Sequence, residues 1–205
     1  ARRPDRPLAL IKSEKGGSSL LRDWRPCDFD DPTTFTNLML RDAANAVEQL
    51  YERGFDPRFA GFVWYQGESE TRPWCEQPED YTPALNVLLE RIADDLNDGQ
   101  DFAKVFFRVH PHDNPSPNYD SIRGQLIARA DTDPLAAWID TDDFHYPDQL
   151  HPDGPSLLIA GDRAAEAILS LLPPGAGGSH RGSDESGREA APTTQIQTTP
   201  PPPGE

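Results

Sequence analysis

Cysteine appears only twice in 205 residues, at Cys27 and Cys75. That scarcity excludes a disulfide framework, and the separation matches no zinc-ligand spacing, which leaves room for at most a single bridge between two loops. Long hydrophobic runs are absent as well: nothing approaches the roughly eighteen consecutive apolar residues of a membrane helix, so no membrane span is expected. Positive charge is scarce, with 19 Lys and Arg against 35 Asp and Glu and a net charge of -16. The carboxyl-terminal stretch, with Arg181 and Arg188 against Asp184, Glu185, Glu189 and Glu205, carries little of that excess. The folding part is therefore acidic. Such a surface repels phosphate backbones and anionic membranes, which argues against nucleic acid or a membrane as partner and is compatible with a salty habitat. The chain opens at Ala1 with neither an initiator Met nor a signal-peptide pattern, so an upstream part is expected to have been lost or removed.

Proline is plentiful, and much of it gathers at one end. From Pro173 onward Gly, Ser, Pro and Thr dominate, closing on Pro200-Pro201-Pro202-Pro203. With almost no apolar side chains to offset the entropy of ordering, residues 173–205 read as a disordered tail. Residues 1–172 are long enough to bury one core and read as a single domain.

Within that domain an apolar run over residues 59–65 stops abruptly at Gln66-Gly67-Glu68-Ser69, the pattern of a buried strand delivering its carboxyl end into a polar site. Upstream, residues 8–11 read as a short strand followed by a turn at Gly16-Gly17. Met39, Ala43, Ala46, Val47, Leu50 and Tyr51 repeat at helical spacing and predict a helix over 36–53. Tyr81, Leu85, Leu88, Leu89, Ile92 and Leu96 predict a second. A strand over 104–109 ends at His110-Pro111-His112. Tyr119, Ile122, Leu126 and Ala130 mark a third helix and 135–140 a fourth strand. Asp148-Gln149-Leu150-His151 occupies the next loop, and Leu157, Leu158, Ala164, Ala165, Ile168, Leu169 and Leu172 make a closing helix. Four strand and helix alternations with short links predict an α/β fold: a parallel sheet with helices on both faces, in three layers. Ligands bind beyond the carboxyl ends of such strands. Those ends carry Gly16-Gly17, Gln66-Gly67-Glu68, His110 with His112, and the loop of Asp148 and His151.

Asp148 and His151, three residues apart, suit a general base and the carboxylate that fixes its tautomer. The plainer alternative is that Asp148 turns the chain and His151 is a surface residue. Gly16-Gly17 would let a bare N–H approach a developing oxyanion, with the Gln66 amide as second donor; an ordinary turn and a polar strand end are the alternatives. Glu68, leaving the core, needs hydrogen-bonding partners. A divalent metal held by His110, His112 and His145 is a rival reading, weakened by the irregular loop around Pro111 and Pro115 and by the lack of a matching carboxylate set. A third is sugar binding without catalysis, with Trp24, Trp64 and Trp74 stacking on pyranose faces.

Taken in order, Gly16-Gly17-Ser18-Ser19-Leu20 with Trp24, then Trp64-Tyr65-Gln66-Gly67-Glu68-Ser69, Arg123-Gly124-Gln125 and Asp148-Gln149-Leu150-His151-Pro152 resemble the successive blocks of the sialate O-acetylesterase and carbohydrate esterase family 6 group of SGNH hydrolases. The resemblance implies a flavodoxin-like α/β/α sandwich. It implies His151 as general base, Asp148 as its orienting acid, Gly16, Gly17 and Gln66 as oxyanion hole, Glu68 as support, and Trp24 and Arg123 near the substrate. The implied reaction is hydrolysis of O-acetyl esters on a carbohydrate, of sialate or acetylxylan type, through an acyl-enzyme on serine. No metal or organic cofactor is implied. Export to an extracellular or periplasmic compartment is expected from the resemblance, and the oligomeric state is left open. One block has no counterpart. The family's nucleophile lies in a Gly-Gln-Ser-Asn type block after the first strand, whereas Gly99-Gln100 and Gly124-Gln125 are followed here by Asp101 and Leu126. Ser18, Ser19 and Ser69 do not sit on the strained strand-to-helix turn a nucleophile needs. The first strand and its serine are therefore expected upstream of Ala1, leaving these residues inactive alone and, with unpaired strand edges, poorly soluble.

Overall fold

The apolar runs form three strands, β1 (Gly61–Trp64), β2 (Ala103–Phe107) and β3 (Ala136–Ile139), paired in parallel in the order β1-β2-β3. This computed structural model describes residues 7–110, 116–148 and 150–172. The chain divides into two units, Ala1–Pro173 and Pro174–Glu205; the second, on which the expectation of a disordered tail falls, lies outside the described residues. Strand β2 is central and buried at every position, which accounts for its being apolar at all positions but one. Its one charged residue, Lys104, is held between Asp101 and Asp133 at 2.5 and 3.1 Å, satisfying the ammonium inside the fold.

Alternation along β2 builds two cores. Phe106 joins a cluster with Trp24, Trp64, Leu85, Leu88, Ile122 and Leu126, whereas Val105 and Phe107 face Ile139, Phe144, Ala160 and Ala164. Helices α1 (Phe35–Glu52), α2 (Tyr81–Leu96) and α3 (Pro117–Asp131) supply the first core, and α4 (Gly154–Leu171) covers the other face. The fold is thus α/β, a parallel sheet between two helical layers. Helix α1 begins where Thr34 accepts a hydrogen bond from the Asn37 N–H at 3.2 Å, and α4 where Asp153 accepts one from the Ser156 N–H at 2.9 Å.

Residues 8–11, expected as a strand, are not one. Leu8 and Leu10 stand 84% and 83% exposed, because no described strand lies beside them to complete a ladder. Among the described residues β1 pairs only with β2, so it forms an edge, with Val63 exposed on it. Gly61 is required where β1 and β2 approach: a Cβ there would stand 2.6 Å from the Ala103 carbonyl oxygen and 2.7 Å from Ile168 Cδ1. The possible bridge between cysteines is not formed. Cys27 lies on the surface, Cys75 in the interior, and both are free. No described helix is long and apolar enough to cross a membrane.

Candidate active site

Beyond β1 the backbone turns at Gly67, whose φ of +142° a side chain would resist. A Cβ there would also meet Val109 Cγ1 at 2.8 Å and Ile122 Cγ2 at 3.1 Å. The turn closes with the N–H groups of Glu70 and Thr71 donating to the Gly67 carbonyl at 3.0 and 3.2 Å. This geometry swings Glu70, wholly buried, back under Gln66. The Glu70 carboxylate accepts hydrogen bonds from Ser19 Oγ at 2.6 Å, Gln66 Nε2 at 2.7 Å and the Leu21 N–H at 3.4 Å. The second Gln66 hydrogen goes to the Ser18 carbonyl at 3.0 Å. From the other side the Tyr81 hydroxyl lies 2.8 Å from the Gln66 carbonyl and 3.1 Å from Gln66 Oε1, while it accepts from Trp64 Nε1 at 3.0 Å. Ser69 Oγ donates to the Gly17 carbonyl at 3.1 Å. The glycine turn and the end of β1 are thereby stitched into one polar body, buried at Ser18, Ser19, Gln66 and Glu70.

Gly16 and Gly17 form the exposed rim of that body, with Gly17 at a φ of +69°. Among the described residues neither N–H donates to a protein acceptor, so both are available to an external oxygen.

After β3 the chain enters the loop that carries Asp148 and His151. His151 Nδ1 lies 2.7 Å from Asp148 Oδ2, and Asp148 Oδ1 accepts from the N–H groups of His151 and Leu150 at 2.7 and 3.0 Å. The His151 side chain hydrogen bond, followed by those two backbone donors, holds the Asp148 carboxyl well below the usual carboxylate range. One Asp148 oxygen turns the chain and the other contacts the imidazole. The pair is open to solvent, with the His151 side chain 73% exposed.

Glu68 is where the strand end and the loop meet electrostatically. Burial pushes its carboxyl up; the N–H groups of Glu68 and Gly67 and the His151 charge pull it down, and the Glu70 charge pushes with burial. Tyr65 and Tyr146 line the same quarter, their hydroxyls 3.3 Å apart, and Tyr146 stacks on His110 at 3.5 Å between ring centroids.

Several residues singled out from the sequence stand elsewhere or do other work. Trp24 is 5% exposed, packed edge-on against Phe35 and Trp64 with its indole N–H on Ser18 Oγ at 3.1 Å, so it offers no ring face to a sugar. Trp64 is buried in the same core, and the exposed Trp74 carries the Arg22 guanidinium 3.6 Å above its ring. Arg123 is consumed by structure: it donates to Asp142 at 2.8 and 2.7 Å, to the Val109 carbonyl and to the Tyr119 hydroxyl. Gln66, expected to donate to an oxyanion, places its amide N–H groups on the Ser18 carbonyl and the Glu70 carboxylate inside the fold. For the metal reading, His145 is paired with Asp153 and His112 lies outside the described residues; among the described residues no group of three or more His, Cys, Asp or Glu is arranged to hold an ion. Glu70 was not singled out from the sequence, Tyr81 was read only as a helix position, and Ser19 only as part of the glycine block and as a serine set aside as nucleophile. The signal for Glu70 was its position four residues after Gln66, the spacing at which side chains meet on a helical turn.

The family model for carbohydrate esterases, described as sialic acid-specific acetylesterase, matches residues 1–170. A protein from Arabidopsis thaliana, known from an X-ray structure, has a similar fold with a TM-score of 0.56 at 17% identity. The likeness covers 71% of this chain and 56% of that one, so the present chain spans little more than half of that relative's length. No curated protein matches. With the glycine turn bonded to the Gln-Gly-Glu end of β1 and the Asp-His loop following β3, the chain belongs to the carbohydrate esterase family of sialic acid-specific acetylesterases.

Proposed function

We propose that this chain supplies the base and the oxyanion turn of an esterase that removes O-acetyl groups from carbohydrate, with a serine hydroxyl contributed from outside the described residues. The observation that carries the reading is the 2.7 Å contact between His151 Nδ1 and Asp148 Oδ2. An anionic Asp148 keeps the proton on Nδ1 and leaves the Nε2 lone pair free. Nε2 takes the proton of the attacking hydroxyl as its oxygen adds to the acetyl carbonyl. The negative charge that develops on the carbonyl oxygen is stabilised by the uncommitted N–H groups of Gly16 and Gly17. Collapse returns the proton from His151 to the departing sugar oxygen, and water repeats the sequence to release acetate. Gln66 acts by holding the Ser18 carbonyl, and so the angle of the glycine turn, rather than by touching the oxyanion.

Among the described residues no serine hydroxyl is hydrogen-bonded to His151; Ser19 serves Glu70, Ser69 serves Gly17 and Ser18 accepts from Trp24. The test is acetate release from an O-acetylated sugar, comparing these 205 residues with the same chain preceded by its natural upstream coding segment. Turnover is expected only in the longer form, and His151→Ala should lower it by roughly a thousandfold or more. Full activity in the shorter chain overturns the external hydroxyl, and undiminished turnover in H151A overturns the base.

A further inference from the structure

A second His and Asp pair closes the loop on which the first one stands. His145 Nδ1 lies 2.9 Å from Asp153 Oδ2, and the Asp153 N–H donates to the His145 carbonyl at 3.0 Å. The His145 N–H donates to Ser156 Oγ at 2.9 Å, and the Ser156 N–H returns a bond of 2.9 Å to Asp153 Oδ1. The two ends of the segment 145–153 are thus joined to each other and to the first turn of α4, with Asp148 and His151 between them. Pro147 and Pro152 sit just inside the ends and restrict the backbone further.

The closure matters because little else holds the catalytic pair. With His151 73% and Asp148 57% exposed, their side chains have no surrounding core to set them. Their placement comes from the loop backbone, through the two N–H groups bonded to Asp148 Oδ1. A side chain fixed only by its loop is as well placed as the ends of that loop. The lower limb is anchored independently, where Tyr146 stacks on His110 and donates to the Thr141 carbonyl at 3.3 Å. The upper limb, with Asp148, Leu150, His151 and Pro152, meets the lower one where Asp153 bonds His145 through side chain and backbone.

We propose that His145, through Asp153, is a positioning residue that fixes the Asp148–His151 pair, a role that rests on the esterase reading only where catalysis is concerned. His145 touches no reacting atom in this scheme. Its contact with Asp153 Oδ2 at 2.9 Å closes the mouth of the loop.

The test uses the whole chain and two variants, His145→Ala and His145→Asn. Asparagine Nδ2 can stand where the imidazole Nδ1 stands, so it should restore the bond that alanine removes. Ring nitrogen NMR of His151 should show Nδ1 protonated in the natural chain and in H145N, with averaging between tautomers in H145A. Amide exchange at Leu150 and His151 should quicken about tenfold in H145A while amides of the central strand stay unchanged. An unaltered His151 signature and unaltered loop exchange in H145A overturn the proposal. So does an equal loss of protection throughout the fold, because that marks a merely structural contribution. In the form that carries the nucleophile, kcat should fall about tenfold in H145A with KM unchanged and recover in H145N. If the NMR and exchange effects appear but no variant or parent releases acetate, the positioning role stands and the esterase reading falls.

Discussion

Glu68 and Tyr81 show how single side chains near the site trade stability against placement. Burial raises the Glu68 carboxyl, so its charged form is disfavoured in the fold relative to the unfolded chain. A raised carboxyl contributes stability that is present below the ordinary carboxylate range and lost as pH climbs through the folded value. Glu68→Gln, neutral at every pH, should therefore raise Tm at about pH 7, with the gain shrinking toward about pH 4 where Glu68 itself is protonated. Thermal melts of both proteins across that interval check it, and a pH-independent difference would show that packing rather than ionisation is responsible. Tyr81→Phe keeps the ring but removes the acceptor for Trp64 Nε1 and the donor to Gln66. Leaving a buried N–H unpaired should cost about 1–3 kcal/mol, read by urea unfolding, and a loss below about 0.5 kcal/mol would mean that water takes the hydroxyl's place. Sequence reading found Gln66 and Glu68 here but passed over Glu70. Both are glutamates beside the same strand end, and only the turn at Gly67 decides that Glu70 is the one bonded to Gln66 and Ser19.

At the level of elements the contact between β1 and β2 is the tightest constraint on the site, since β1 carries Gln66 and Glu68 at its end. Gly61→Ala would set a methyl 2.6 Å from a backbone oxygen, which cannot move without breaking the parallel ladder. Overpacking of this kind should cost about 1–3 kcal/mol. Chemical denaturation should show the loss, together with faster amide exchange in Phe62 and Trp64 than in β3. Equal stability would mean that the strands separate without penalty. The helices were legible because their apolar residues recur every three or four positions: 36–53 was expected and Phe35–Glu52 is found. The first expected strand, residues 8–11, was not so determined. A short apolar run specifies a strand only when a neighbour completes its hydrogen bonds, and periodicity carries no information about the neighbour.

For the molecule as a whole the governing quantity is the net charge of -16. Self-repulsion at that charge opposes compaction, while local ion pairs such as Arg163 with Asp143 at 2.5 Å are exposed and contribute little. Raising the salt concentration from about 0.05 M to about 1 M should therefore raise Tm, because screening relieves the long-range repulsion. A fall in Tm over the same range would show that the pairs at the ends of β2 and β3, where Arg108 meets Asp140 and Asp142, outweigh the net charge.

The order of apolar and polar segments by itself determined the α/β class, the parallel direction of the strands and the four helices. Those depend on periodicity and on chain connection, both of which are written locally. Only the folded chain decided that Trp24 faces the core, that Arg123 serves Asp142, that Gln66 spends both hydrogens inside, and that Glu70 rather than Glu68 joins the glycine turn to the strand end. Each of these is a choice between partners distant in sequence, settled by which groups would otherwise be buried without a hydrogen bond.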